Sequence, residues 1–122
     1  MSIESLAKKY NKFQNDFGQG AAEDFPTIIS QLFSPAFTKT ANKSVLVPKR
    51  DDLNKQLTDV KGFAGNWSIN ETFLIPSADN TKCTIRYSLV SEKAGTFDVI
   101  AVLSSVDSQH IDSVDEIFYQ VV

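Results

Sequence analysis

The sequence of 122 residues has few of the residues that build disulfides and metal sites. It contains a single cysteine, Cys83, and a single histidine, His110. One cysteine cannot form an internal disulfide, and one histidine cannot supply the several nitrogen or sulfur ligands of a typical zinc site. We therefore expect no bound metal and no cofactor. Cys83 alternates with apolar residues at two-residue spacing, which favours a buried thiol over a nucleophile.

Long apolar runs and dense basic clusters are absent as well. No stretch approaches the roughly 20 apolar residues of a membrane-spanning helix, and the first residues lack the apolar run of a secretory signal. The formal net charge is −3, and the basic stripe of Lys8, Lys9 and Lys12 is too sparse to bind a phosphate backbone. We therefore expect a cytoplasmic protein that binds neither membranes nor nucleic acid.

Apolar residues, by contrast, are plentiful and regularly spaced. They make up 42% of the chain and include nine phenylalanines, which is enough for the core of one domain that spans the whole chain. Steps of three and four residues between them predict helices over about 3–17, 25–33 and 49–61. Gly18 and Gly62 are expected to end the first and the third of these helices.

The spacing of the apolar residues changes after Gly65. Before it, the stretch FTKTANKSVLV predicts a short hairpin with its turn at Ala41–Lys43. Beyond it the period is two, as in half-buried strands, and the connections are short and polar. The predicted strands span residues 67–75, 81–91, 96–104 and 110–121. This order of elements predicts an α+β fold in which the helices cover one face of an antiparallel meander.

The predicted strand 96–104 is apolar on both of its faces. Phe97 and Val99 lie on one face, whereas Ile100 and Val102 lie on the other. Strands of this kind are usually covered on both sides, and the helices can cover only one. We therefore expect a homodimer in which a second copy of the chain covers the outer face of the sheet.

Four stretches in this order resemble the nuclear transport factor 2-like superfamily, and within it the SnoaL-like proteins. They are LFSPAF (32–37), GNWSI (65–69), FDVIAVLSSVD (97–107) and HIDSVDEIFYQ (110–120). The resemblance implies a cystatin-like cone, in which a curved, mostly antiparallel sheet wraps around three N-terminal helices and encloses an apolar pocket. The superfamily includes ketosteroid isomerases, polyketide cyclases, dehydratases and non-catalytic binding proteins, so the fold alone does not identify a function.

Matching of single positions argues against two of these activities. Ala41 stands where ketosteroid isomerases have their carboxylate base, and Ala101 stands where they have a protonated aspartate. Tyr10 lies on the corresponding helix, but it is not at the tyrosine position of that family. A dehydratase of the histidine type is excluded because the chain has only one histidine.

Alternation in the last predicted strand makes Glu116 the acid to watch. Ile111 and Val114 are three residues apart, which predicts a β-bulge near residues 112–113. Beyond it, Val114, Glu116 and Phe118 share a face, and the resemblance implies that this face lines the cone. Burial of a carboxylate changes its pKa unless a partner compensates. An acid or base, a group that binds a ligand, and a purely structural residue all remain open as roles for Glu116.

The other polar residues of this strand are expected outside the pocket. His110 is predicted at the rim, and Asp112 and Asp115 are predicted to face solvent or the dimer surface. In the structural alternative, the Glu116 carboxylate is hydrogen-bonded to a helix or pairs with Arg50 or with Arg86.

Three functions remain open from the sequence. The first is binding of a small apolar molecule in the cone, the second is an isomerase, cyclase or dehydratase that uses Glu116 and Tyr10, and the third is a protein-interaction or scaffold module whose cone is filled by phenylalanine side chains. The residues expected to line the pocket are Tyr10, Phe13, Phe17, Phe37, Trp67, Tyr87, Phe97, Val99, Ala101, Val114, Glu116 and Phe118.

Overall fold

The computed structural model describes residues 2–121 of the chain. Its helices and strands follow one another in the order that the sequence predicts. The helices are α1 (Ile3–Gln19), α2 (Phe25–Leu32) and α3 (Leu53–Ala64), with a short 3-10 helix at Arg50–Asp52 directly before α3. The strands are β1 (Phe33–Ala41), β2 (Ser44–Val47), β3 (Trp67–Pro76), β4 (Lys82–Ser91), β5 (Gly95–Ser104) and β6 (Ile111–Gln120).

The strands form one sheet in the order β2-β1-β6-β5-β4-β3. Neighbouring strands run antiparallel except for β1 and β6, which are parallel. The three helices precede the β3–β6 meander, and their buried residues pack against one face of the sheet. The predicted α+β fold with a mostly antiparallel sheet is therefore confirmed.

The helix boundaries follow local capping chemistry. The Ser2 side chain accepts a hydrogen bond from the backbone N–H of Ser5, and the Asp24 carboxylate accepts one from the N–H of Thr27, so both N-termini are capped. The first helix runs past Gly18 and ends at Gly20, whose φ of 70° is the left-handed conformation that glycine adopts without strain. Its predicted end at Gly18 was therefore wrong.

Gly18 instead permits close packing. A Cβ atom at this position would lie 2.4 Å from the Trp67 ring, so the helix can lie against the start of β3 only with glycine here. The Trp67 Nε1–H donates to the carbonyl of Gln14 at 3.0 Å, and the Asn15 side chain accepts from the backbone N–H of Ile69 at 2.9 Å. These hydrogen bonds hold α1 over β3, which is an edge strand of the sheet.

Two further boundaries differ from the prediction. The second helix ends at Leu32 and β1 begins at once, because Phe33 is already extended, with φ −111° and ψ 141°. Hence the predicted helix was one residue too long and the predicted hairpin began too late. The third helix extends to Ala64 and ends at Gly65, where φ is 71°, and not at Gly62.

The sequence predicts a β-bulge in the last strand, β6, but the structure has the irregular pairing mainly in the neighbouring strand, β1. Ile111 and Val114 are both buried although they are three residues apart. The pairing of β6 with β5 is regular as far as Ser113. Against β1, however, Phe33 opposes Ile111 and Thr38 opposes Ser113. The additional residues therefore lie on β1, so the prediction of a bulge within β6 was wrong.

Candidate functional site

A cavity of about 230 Å³ lies between α3 and the inner face of the sheet. Its walls are mainly apolar, and aromatic side chains from the sheet and Leu57, Val60 and Phe63 from α3 form much of them. The polar side chains that reach it are Gln14, Lys39, Gln56, Tyr87 and Glu116.

A second depression, of about 310 Å³, lies between α1 and α2. Its lining includes Lys12 and Asp16, which form an ion pair with each other at 2.5 Å and whose side chains are in part open to solvent. An ion pair of this kind on a helix surface contributes little stability and creates no binding site. We regard this depression as a solvated groove and the apolar cavity under α3 as the candidate site.

Glu116 is buried in the cavity wall, on the face of β6 that the resemblance implies for it. It is only 8% exposed, and its neighbours across the two adjoining strands are Ala41 on β1 and Ala101 on β5. These small residues leave space beside the carboxylate.

No cation within the described part of the chain pairs with Glu116. Arg86 forms an ion pair with Asp98 at 2.6 Å on the outer face of the sheet. Arg50 lies 3.9 Å from Asp51 and donates to the carbonyl of Phe33. Both arginines that the structural alternative proposes as partners are therefore engaged elsewhere, and that pairing was wrong.

The side-chain partner of Glu116 is Tyr87. The Tyr87 hydroxyl lies 3.5 Å from the Glu116 Oε2 atom and 3.3 Å from the Gln14 Oε1 atom. Burial raises the pKa of Tyr87 well above its ordinary value, and the nearby Glu116 charge raises it further. The phenol thus stays protonated at neutral pH, so it can donate one hydrogen bond into this group.

Tyr10 lies close to this group but outside the lining of the cavity. Its ring packs edge-on against Phe33, and within residues 2–121 its buried hydroxyl has no hydrogen-bond partner. Burial, followed by the electrostatic effects of Tyr87 and Glu116, raises its pKa well above the ordinary value. Tyr10 is therefore a protonated core residue whose hydroxyl does not open into the cavity.

Lys39 is the site residue that the sequence prediction missed. It is 5% exposed on β1 and lines the cavity, and its Nζ atom lies 3.5 Å from the Gln56 Oε1 atom. The sequence contained a signal for Lys39, because it alternates with Phe37 and Ala41 along the strand, and the structure buries all three. The prediction left Lys39 out because lysine side chains are usually exposed to solvent.

The twelve residues expected in the pocket divide into two groups. Six of them line the cavity, namely Trp67, Tyr87, Phe97, Val99, Glu116 and Phe118. The other six are buried in the core outside that lining, namely Tyr10, Phe13, Phe17, Phe37, Ala101 and Val114. Contact of any of these residues with a ligand stays a prediction.

The polar residues near the start of β6 do not reach the cavity. The His110 Nδ1 atom lies 2.7 Å from a carboxylate oxygen of Asp107 at the surface, and this contact holds the pKa of Asp107 well below its usual range. Asp112 accepts a hydrogen bond from the backbone N–H of Val106 at 2.8 Å, and Asp115 is exposed. These groups lie outside the lining of the cavity, and the contacts of His110 and Asp112 order the loop between β5 and β6.

Two further features concern metal ligands and the single cysteine. Within residues 2–121 no group of three or more histidine, cysteine, aspartate or glutamate side chains is arranged to hold a metal ion. No helix in that range is long and apolar enough to cross a membrane. Cys83 is fully buried, as expected, and burial raises the pKa of its thiol to about 11, so the nucleophilic thiolate is disfavoured.

Solved structures with the same fold define the class of architecture. No family model and no curated protein matches the sequence. A proposed isomerase of the SnoaL-like family from Agrobacterium tumefaciens is 12% identical, with a TM-score of 0.77, over 98% of this chain and 99% of its own. A nuclear transport factor 2-like protein of unknown function from an Exiguobacterium species is 17% identical, with a TM-score of 0.71, over 90% and 98%.

A third structure extends the comparison to an enzyme candidate. A proposed polyketide cyclase from Streptomyces antibioticus is 9% identical, with a TM-score of 0.73, over 97% of this chain and 92% of its own. At such identities the likeness concerns the fold alone. The chain has the nuclear transport factor 2-like fold, shared with SnoaL-like proteins, and the resemblance inferred from its sequence is confirmed at that level.

Proposed function

We propose that the protein binds a small apolar molecule in the cavity beneath α3. The observation that carries this proposal is the cavity itself, which has largely apolar walls and a few buried polar groups. Ligand sites usually have this composition, with volumes of roughly 300–1,000 Å³. A volume of about 230 Å³ lies below that range and therefore favours a small ligand, such as one built on a single ring.

The distribution of phenylalanines supports binding over a filled scaffold. Phe13, Phe17, Phe33 and Phe37 contact other aromatic rings in the core under α1. They are therefore not available to fill the space under α3. Phe63 on α3 is 74% exposed, so the side chain that could close the cavity from the helix side points largely into solvent.

Trp67 provides a direct measurement of binding. It is the only tryptophan of the chain, it is buried, and it lines the cavity. We expect its fluorescence to change in a saturable way when a small apolar compound such as toluene is added. Val99→Phe should abolish that change because it fills the cavity, whereas Val90→Phe, at an exposed position outside the cavity, should preserve it. Saturable binding that is the same in both variants would refute the proposed location.

An acid–base enzyme is the second candidate function. The observation that favours it is the contact of the Glu116 carboxylate with the protonated Tyr87 hydroxyl inside an apolar cavity, since such surroundings often tune catalytic groups. Because Tyr10 does not line the cavity, Tyr87 replaces it in this proposal. A catalytic role predicts that Glu116→Gln stops turnover of a substrate that the variant still binds.

We also propose that the protein forms a homodimer through the outer face of the sheet. Ile100 on β5 is 43% exposed and stands opposite Ile117 on β6, which is 64% exposed. Tyr119, also exposed, donates to Asp98, which in turn pairs with Arg86. An apolar strip beside an ordered polar group has the composition of a protein interface.

A further inference from the structure

Two charged side chains face the cavity without an oppositely charged partner. Lys39 and Glu116 are both more than nine-tenths buried, and among residues 2–121 neither forms an ion pair. A buried charge is costly unless it is paired or well hydrogen-bonded. Both groups therefore retain a capacity for interaction that the protein itself does not use.

The strand register places these two residues close together. Lys39 on β1 opposes Val114 on β6, and Ala41 opposes Glu116. Lys39 and Glu116 are therefore diagonal neighbours on the inner face, two residues apart along a parallel pair. Strand spacing and rise put the Cβ atoms of such neighbours roughly 8 Å apart, and both side chains line the same cavity.

The unused capacity consists mainly of hydrogen-bond donors. The Lys39 ammonium has three N–H groups, and its one partner is the Gln56 amide oxygen at 3.5 Å, near the limit for a hydrogen bond. Gln14 is also buried and lines the cavity, and in the described chain its Nε2 donor has no partner. Glu116 adds only acceptors, and its Oε2 atom lies 3.5 Å from the Tyr87 hydroxyl, which is 3.3 Å from the Gln14 Oε1 atom.

We propose that the cavity selects small apolar molecules that carry a carboxylate, with Lys39 as the residue that recognises this group. The inference rests on the proposed function and adds the chemistry of the ligand. A carboxylate offers two acceptor oxygens and a charge opposite to that of Lys39, and charge-assisted hydrogen bonds of this kind are short and strong. Gln14 supplies a further donor to the lining of the cavity.

Glu116 has a defined effect in this arrangement. Its carboxylate repels the carboxylate of the ligand, so it weakens binding and limits the ligand to one acidic group. Replacement of Glu116 by glutamine should therefore tighten binding of a carboxylate and leave binding of a neutral ligand unchanged. The sign of this effect is opposite to the one expected if Glu116 held the polar group of the ligand as a hydrogen-bond acceptor.

Three compounds of one shape test the proposal. Phenylacetate, phenylacetamide and phenethylamine share a phenyl ring on a short chain and end in an anionic, a neutral and a cationic group. Titration followed by Trp67 fluorescence should show that phenylacetate binds the parent at least about tenfold more tightly than phenylacetamide, as expected for a hydrogen bond to a charged group. Phenethylamine should bind more weakly than either.

Variants locate the preference in the cavity. Lys39→Met removes the ammonium and keeps an unbranched side chain, so it should bring phenylacetate to the affinity of phenylacetamide. The matched control Lys43→Met, in the exposed turn of the same hairpin, should keep the full preference. Thermal melts of all variants identify any that fail to fold, and the ligand preference of the parent tests the proposal without any substitution.

The outcomes separate this inference from the proposed function. Equal affinity of the parent for phenylacetate and phenylacetamide, or a preference for phenethylamine, would overturn the inference and leave the proposed function intact. A preference for phenylacetate that survives in Lys39→Met would overturn the role of Lys39. Failure of all three compounds and of toluene to bind would contradict the proposed function itself, and the inference would fall with it.

Discussion

The inner face of the sheet has two halves that this chain packs in different ways. Under α1, the rings of Tyr10 and Phe13 both pack edge-on against Phe33, which is fully buried. Under α3, the sheet faces a cavity beside which the buried charged residues Lys39 and Glu116 lie. One half is thus built as a hydrophobic core, while the other half leaves both space and chemical groups unused.

The difference follows from the residues that each helix contributes. The buried face of α1 carries three large rings, Tyr10, Phe13 and Phe17. The buried face of α3 carries only Leu57 at its centre and leaves Phe63 to the solvent. Because proteins pack their interiors densely where stability alone matters, the open half under α3 is the part of the molecule where function is to be sought.

Removal of an aromatic ring should affect the two halves unequally, and this is the largest effect that we expect. Phe33→Ala opens a space around a fully buried ring and should lower the free energy of unfolding by about 3–5 kcal/mol. Phe97→Ala acts on a half-buried ring that already borders a cavity, so the loss should be about 1 kcal/mol. Urea denaturation of both variants measures the difference, and equal losses would remove the distinction between the halves.

The outer face of the sheet offers the next contrast. Ile100→Asp places a charge in the proposed dimer interface and should weaken association by about 2 kcal/mol or more, as at the centre of a protein interface. Val106→Asp changes an exposed residue of the loop between β5 and β6 and serves as the control. Light scattering at micromolar concentration should give a dimer for the parent and the control, and a monomer for Ile100→Asp. A monomeric parent would refute the dimer.

The charged end of the cavity should show a smaller effect of opposite sign. Lys39→Met replaces a buried ammonium without a charged partner by an apolar side chain, and we expect it to raise the free energy of unfolding by about 1 kcal/mol. The control Lys43→Met should lie within about half a kcal/mol of the parent. Destabilisation by Lys39→Met in thermal or urea melts would show that the lysine serves the fold, and not a ligand.

The sequence predicts the elements of this fold well because their signals are local. Apolar steps of three and four define α1, a period of two defines β4 and β5, and Asp24 is an effective helix cap. The same alternation groups Glu116 with Val114 and Phe118 on one face of β6, and the resemblance implies that this face is the inner one. The ends of α1 and α3 were misjudged, since Gly18 and Gly62 precede the glycines that actually adopt the left-handed conformation.

The candidate site is less predictable because it depends on contacts between distant segments. Lys39 and Glu116 become neighbours only through the parallel pairing of β1 with β6, and no local pattern encodes that pairing. Likewise, the closed packing of Phe13 and Phe17 depends on how α1 crosses the sheet. A prediction from alternation alone therefore does not separate the inward-facing residues that fill the core from those that line the cavity.

Methyl NMR during a titration with toluene shows whether a small apolar molecule occupies the space under α3. We expect saturable shifts of the methyl groups of Leu57, Val60 and Val99, which line the cavity. The chemical shifts of the methyl groups of Leu6, on the buried face of α1, and of Ile117, on the outer face of the sheet, should remain unchanged. Shifts at Ile117 without shifts at Val99, or no saturable shift at any of these groups, would contradict binding in the cavity under α3.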